Sequence, residues 1–241
     1  MGKCQVIVMN DEERMQAEFL NIQNSLKDRV NCTDRLEVSE IRTVAGVDLA
    51  YWNENGEEYA VCCIVVIDAE THEVIEKQQY HGKIEVPYMA GFLAFRELPL
   101  VLETVKKLNI KPDLFMFDGN GYLHPRHMGL ATHFTFYYDT VSIGVAKTYF
   151  RADRKTDYTE PDTKAGSYTD IVMDGEVYGK AVRTHDGVKP VFVSAGNNIS
   201  LDTAVRIVLG FTDRESRVPI PTRLADLETH RAREILRGGI S

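Results

Sequence analysis

No apolar run in this 241-residue chain approaches the ~20 residues needed to cross a bilayer, and the opening Met1-Gly2-Lys3-Cys4 lacks the apolar core of a secretion signal. The expectation is a soluble, cytoplasmic protein with no membrane partner. Cysteine is scarce: Cys4, Cys32, Cys62 and Cys63 follow no metal-ligand spacing. Cys62-Cys63 lies in an apolar run, where thiols behave as small hydrophobes, so reduced, structural cysteines are expected. No Pro/Ser-rich linker, repeat or low-complexity tract divides the sequence, which predicts a single domain over residues 1–241, large enough for a sizeable core. An excess of positive charge is also missing. The net charge of −8 argues against a protein that coats nucleic acid by basicity. A nuclease stays open, because acids gathered around metal ions bias that sum.

What is present centres on Leu114-Phe115-Met116-Phe117-Asp118-Gly119-Asn120-Gly121-Tyr122-Leu123-His124-Pro125-Arg126. Four apolar residues read as a strand buried on both faces, and Asp118 ends it where the chain enters glycine-rich backbone. A carboxylate there is placed by a rigid element and left open to a ligand. The glycines allow close approach of something bulky, while His124 and Arg126 add a titratable group and a phosphate-shaped cation.

Upstream, residues 11–29 carry acids first and then apolar positions at helical spacing, which predicts an amphipathic N-terminal helix serving as scaffold. Val44-Ala45-Gly46-Val47-Asp48-Leu49-Ala50-Tyr51-Trp52 reads as a strand holding one acid, which is costly there unless paired, hydrogen-bonded or metal-bound. Strands from Tyr59 to Asp68 and from Val74 to Lys83 complete an antiparallel meander. Phe92 to Glu97 begins a helix that Pro99 should kink or restart just after Glu97. Downstream come a helix over Met128 to Phe136, a strand from Ser142 to Ala146 ending at Lys147, and a polar loop over 150–167. A hairpin turns at Asp174-Gly175, then strand, glycine turn and helix cap span Val191 to Ser200, and a last helix opens at Pro219-Ile220-Pro221.

Each acid alone has an ordinary explanation as a cap or a solvated surface group. Together, Asp48 on a first strand, Glu97 on a helix and Asp118 ending a fourth strand follow the order of a ribonuclease-H-like α/β fold, a mixed central sheet flanked by helices. Adjacent strands would bring the two aspartates to one ion. Such hard oxygen ligands suit Mg²⁺, with Mn²⁺ as substitute, and phosphodiester hydrolysis.

These residues also carry a resemblance. Val47-Asp48-Leu49-Ala50-Tyr51, the run Pro87-Tyr88-Met89-Ala90-Gly91-Phe92-Leu93-Ala94-Phe95-Arg96-Glu97, Phe117 to Gly121 with His124-Pro125-Arg126, Gly144 to Lys147 and Pro219 to Asp226 resemble blocks of the endonuclease V family in order. The resemblance implies an endonuclease that acts beside inosine, the deaminated adenosine, and cuts the second phosphodiester bond on its 3′ side. It implies metal ligation by Asp48, Glu97 and Asp118, with Asp226 near the metal and His124 and Lys147 near the scissile phosphate. Tyr88 falls on a wedge tyrosine, and Asn120, Gly121 and Tyr122 fall on the base pocket, with Arg126 close by. The expected partner is inosine-containing nucleic acid, DNA ahead of RNA, acted on by a monomer. Two departures stand out: Met89-Ala90 lacks a second wedge proline, and Asn197 replaces an expected His. The competing readings are an inosine-specific endoribonuclease, a nuclease specific for branched or mismatched structure, and an inosine binder that does not cut.

Overall fold

The computed structural model describes residues 10–238; Cys4 and the first residues lie outside them. Helix α1 (Asp11–Leu26) starts at a capping box in which Asn10 and Glu13 satisfy each other's backbone amides. It is followed by strands β1 (Thr43–Glu54), β2 (Glu57–Asp68) and β3 (Val74–Lys83), paired antiparallel as the expected meander. Helix α2 (Leu93–Val105) leads to β4 (Leu114–Asp118), a single turn of helix α3 (Leu130–Phe134) and β5 (Val141–Ala146). The hairpin β6 (Tyr168–Met173) and β7 (Glu176–Val182) turns through Asp174 and Gly175, both with positive φ. Then come β8 (Val191–Asn197), α4 (Leu201–Gly210) capped by Ser200, and α5 (Ile220–Leu236) with proline in its first turn.

All eight strands form one sheet in the order β3-β2-β1-β4-β5-β8-β7-β6. Only β1·β4 and β4·β5 are parallel, so the sheet is mixed and mostly antiparallel. Because alternate residues of a strand face opposite ways, the central strands supply two cores. Val44, Leu114, Met116, Ile143 and Val145 pack with α4 and α5, whereas Ala45, Val47, Phe115 and Phe117 pack with α2 and α3.

Several expectations are adjusted. Pro99 neither ends nor restarts α2, which runs through it; Ala94, Leu98, Val101 and Val105 on its buried face offset the missing amide. The helix foreseen over Met128 to Phe136 shrinks to five residues, because Gly129 is packed against the Asn120 and Gly121 carbonyls. Gly196 makes no turn but continues β8, where its lack of a Cβ admits Ser142 of β5. Among the described residues, no helix is long and apolar enough to cross a membrane.

Candidate active site

Strand parity brings the acids together. Asp48 shares its face of β1 with Val44, Asp118 shares its face of β4 with Leu114 and Met116, and both faces look toward α5. The parallel register pairs Val47 with Phe117, so the two aspartates leave the sheet side by side. Helix α5 reaches them by close contact: at Gly46 a Cβ would fall on the Pro221 carbonyl. Asp226, within its second turn, thereby joins Asp48 and Asp118, with one carboxylate oxygen of each lying within 4.8 Å of the others. Lys147, one residue beyond β5 and on the same face, places Nζ 2.6 Å from Asp118 Oδ2 and 2.8 Å from Asp226 Oδ1.

Three acids against one ammonium leave the group rich in negative charge. Burial and then the neighbouring Asp118 push the Asp48 carboxyl up to about 8. Burial likewise raises Asp118, against the opposing pull of Lys147, and Lys147 is held well above the usual ammonium range by its two carboxylates. Partly exposed hard oxygens with excess negative charge are the donor set of a divalent cation such as Mg²⁺, so the residues fit that group.

Glu97 is not part of this cluster. It stands on α2, across the sheet, buried and accepting a 2.5 Å hydrogen bond from the Tyr51 hydroxyl. Burial pushes its carboxyl up to about 7, opposed by the Tyr51 bond and Arg96, while the Asp118 charge adds to the rise. Arg96 itself lies over the Tyr51 ring and pairs with Glu58 at 2.5 Å.

A cleft of about 480 Å³, part of it open to solvent, lies beside Asn120, two residues beyond Asp118. Tyr88, Met89, Leu93, Met128, Leu130 and Phe150 give it apolar walls, with Asn120 and His124 as polar members. Tyr88 at its rim is 69 % exposed, so its ring is free to stack on something else. The buried Asn120 Oδ1 has no hydrogen-bond partner within the protein. His124 is nearly enclosed, and burial and Arg126 push its imidazole down to about 3, leaving it neutral at ordinary pH.

Three other sequence candidates lie elsewhere. Gly121 backs the loop, donating its amide to Ser194 Oγ at 2.8 Å. Tyr122 turns away from the cleft, stacks on His127 at 3.8 Å, bonds Glu176 and lines a separate cavity with Cys32 and Tyr178. Arg126 donates to Gln23 and to the Gly91 carbonyl. Asn197 is also committed: its Oδ1 accepts from the Asn31 amide at 2.7 Å, and its Nδ2 donates to Thr135.

Sequence reasoning missed Phe150, which no local pattern marks, and Thr229 and His230. Those two approach Asp48 and Asp226 at 3.4 and 3.8 Å. Their spacing of three and four from Asp226 on a helix was the available signal.

Comparison with known proteins accords with this arrangement. The family profile described as Endonuclease V matches residues 24–227. Endonuclease V of Bacillus subtilis is 54 % identical over 217 residues, 90 % of this chain and 91 % of that protein. The crystal structure of the B. subtilis Endonuclease_V superposes with a TM-score of 0.89 at 53 % identity, covering 92 % of this chain and 94 % of the other. Endonuclease V of Ciona intestinalis, crystallised with a 24mer DNA containing an inosine followed by a ribo-adenosine, gives 0.80 at 30 % identity, covering 92 % of this chain and 99 % of that one. With the ribonuclease-H-like sheet, the clustered aspartates and this agreement along nearly its whole length, the chain belongs to the Endonuclease V family.

Proposed function

We propose that this protein is a divalent-cation-dependent endonuclease that recognises inosine in DNA and hydrolyses the second phosphodiester bond on its 3′ side. The products carry 3′-hydroxyl and 5′-phosphate ends, and the biological outcome is repair of deaminated adenine. The observation that carries this reading is the grouping of Asp48, Asp118 and Asp226 within 4.8 Å, two residues from a cleft that Tyr88 guards.

A bound Mg²⁺ or Mn²⁺ supplies Lewis acidity at a phosphoryl oxygen and acidifies water. Asp48, Asp118 and Asp226 would hold it, and Glu97 on α2 would complete its shell, directly or through water. Lys147 neutralises phosphate charge beside the cluster while bridging Asp118 and Asp226. The apolar cleft takes up hypoxanthine turned out of the strand, with the free Asn120 Oδ1 accepting from a base N–H. Tyr88 fills the vacated stack, a contact worth about 1–3 kcal/mol. His124 acts through the loop it binds rather than by moving a proton, since its neutral ring is enclosed. Every group named comes from one chain, so a monomer of a single domain suffices.

A second reading, cleavage at inosine in RNA, is favoured by the ribo-adenosine that follows inosine in the strand bound by the Ciona relative. One experiment separates the readings. End-labelled DNA and RNA strands with a single inosine or adenosine are incubated with Mg²⁺, Mn²⁺ or EDTA, with Asp118→Ala as control. Metal-dependent, inosine-selective cutting lost in the variant is the expected result, and the DNA-to-RNA rate ratio names the substrate. Binding without cutting, or cutting indifferent to inosine, overturns the proposal.

A further inference from the structure

Helix α1 is amphipathic on paper, yet its buried residue is polar: Gln23 is wholly enclosed. Burying an amide is costly unless both of its ends are bonded. Here Gln23 Nε2 donates to the Gly91 carbonyl at 3.2 Å, and its Oε1 accepts from Arg126 Nε at 2.5 Å.

The same carbonyl is the target of two more donors. Arg126 Nη2 reaches it at 2.8 Å, with the guanidinium lying 4.7 Å from the Phe92 ring centre. His124 Nδ1 accepts the amides of Arg126 and Met128, each at 3.2 Å, which leaves the ring proton on Nε2 to bond Gly91 O at 2.9 Å. Gly91 is in the left-handed region at φ +83°, where a side chain would be strained and its Cβ would stand 3.0 Å from Arg126 Nη2. Phe19, one helical turn before Gln23, stacks on Phe95 at 3.9 Å and so fixes α1 to the start of α2. Three donors from α1 and the loop after β4 thus converge on one carbonyl, three residues beyond the exposed Tyr88.

We propose that Gln23 is a positioning residue for inosine selectivity: by holding the Gly91 carbonyl it fixes the loop that presents Tyr88 to the strand. The inference rests on the reading that Tyr88 enters the nucleic-acid stack. Gln23 therefore makes α1 part of the recognition apparatus rather than a passive cover. Its loss leaves the aspartate cluster untouched, because none of its bonds reaches Asp48, Asp118 or Asp226.

The test uses Gln23→Met, which keeps length and helix preference but removes both bonds, together with Tyr88→Ala and the double variant. Two readouts are made on the full chain. The first is hydrogen exchange without substrate: amides 88–92, including Phe92 N–H on Met89 O, exchange about tenfold faster in Gln23→Met while the sheet is unchanged. The second is cleavage of an inosine strand: KM rises about tenfold with kcat nearly constant, and Gln23→Met adds nothing further in the Tyr88→Ala background. Gln23→Glu, which still accepts from Arg126, recovers part of the loss. Unchanged exchange, an effect on kcat alone, or an equal loss in the Tyr88→Ala background overturns the proposal. Full selectivity in Tyr88→Ala overturns the underlying reading of the wedge, whereas a defective Tyr88→Ala beside a normal Gln23→Met overturns this inference only.

Discussion

The aspartate cluster and the neighbouring cleft are built on opposite electrostatic plans, although Asp118 and Asn120 are two residues apart. At the cluster, three carboxylates crowd one ammonium, and burial works against the charge of Asp48 and Asp118. At the cleft, the walls are apolar, the histidine is neutral, and the loop is held by hydrogen bonds to backbone. The first region stores unfavourable charge that a cation relieves, and the second is settled before any ligand arrives. Chemistry and recognition therefore respond to different perturbations.

The largest expected effect is at the cluster. Asp48→Asn lowers the cleavage rate by on the order of 10²–10³-fold, the scale of losing one preorganised charge-stabilising group. At pH 9 in EDTA, where Asp48 is ionised, the same variant is more stable than the parent by about 1 kcal/mol, because a buried, repelled carboxylate has been neutralised. Mg²⁺ then raises the melting temperature of the parent more than that of the variant. Single-turnover cleavage and thermal unfolding with and without metal check this, and a less stable Asp48→Asn would break the contrast drawn above.

Gly46→Ala comes next. Its Cβ meets the Pro221 backbone rather than a movable side chain, so β1 and α5 must separate. The expected cost is about 3 kcal/mol or more in urea unfolding. Cleavage falls as Asp226 withdraws, while binding of an inosine strand by the cleft in Ca²⁺ is retained. Equal loss of binding and cleavage would show that the two regions are not separable.

The smallest effect concerns pH. His133 is buried against Phe95, its two ring nitrogens have no partner, and burial pushes it down to about 4 from the ordinary 6.5. Between those values the unfolded chain binds a proton that the folded chain refuses. The associated stability is present above pH 6.5 and is lost as pH falls toward 4. Asp48 at about 8 and Glu97 at about 7 act in the opposite sense, gaining stability as pH falls through those values. His133→Leu leaves these acids in place, so the difference between variant and parent isolates the histidine. Urea unfolding at pH 7 and pH 5 shows the change in stability on acidification to be less favourable in the parent than in the variant. Parallel slopes would remove His133 from the pH response.

Much of this was legible along the chain, and for stated reasons. A lone acid in an apolar strand is costly, which marked Asp48, and an acid ending a doubly buried strand marked Asp118. The meander, the Asp174-Gly175 hairpin and the proline-initiated last helix each carry local signals that tertiary packing did not override. The resemblance of Pro219 to Asp226 pointed to the last helix, though not to the contact at Gly46 that seats it. The resemblance set Tyr122 at the base pocket and Arg126 was read as a phosphate-shaped cation; in the fold Tyr122 bonds Glu176, and Arg126 bonds Gln23 and the Gly91 carbonyl at the edge of the cleft. Pro99 was expected to kink or restart the helix; no new helix starts there, because the buried face of α2 carries it through Pro99.

The sequence by itself determined which elements form, in what order, and which residues end the strands, because hydrophobic period, glycine, proline and capping residues act over a few positions. Only the tertiary structure decided which acids meet. Parity sends Asp48, Asp118 and Lys147 to the face that α5 covers, while Glu97 approaches from α2 on the other. That choice is made by how helices pack on a sheet, among residues spread along the chain from Asp48 to Asp226.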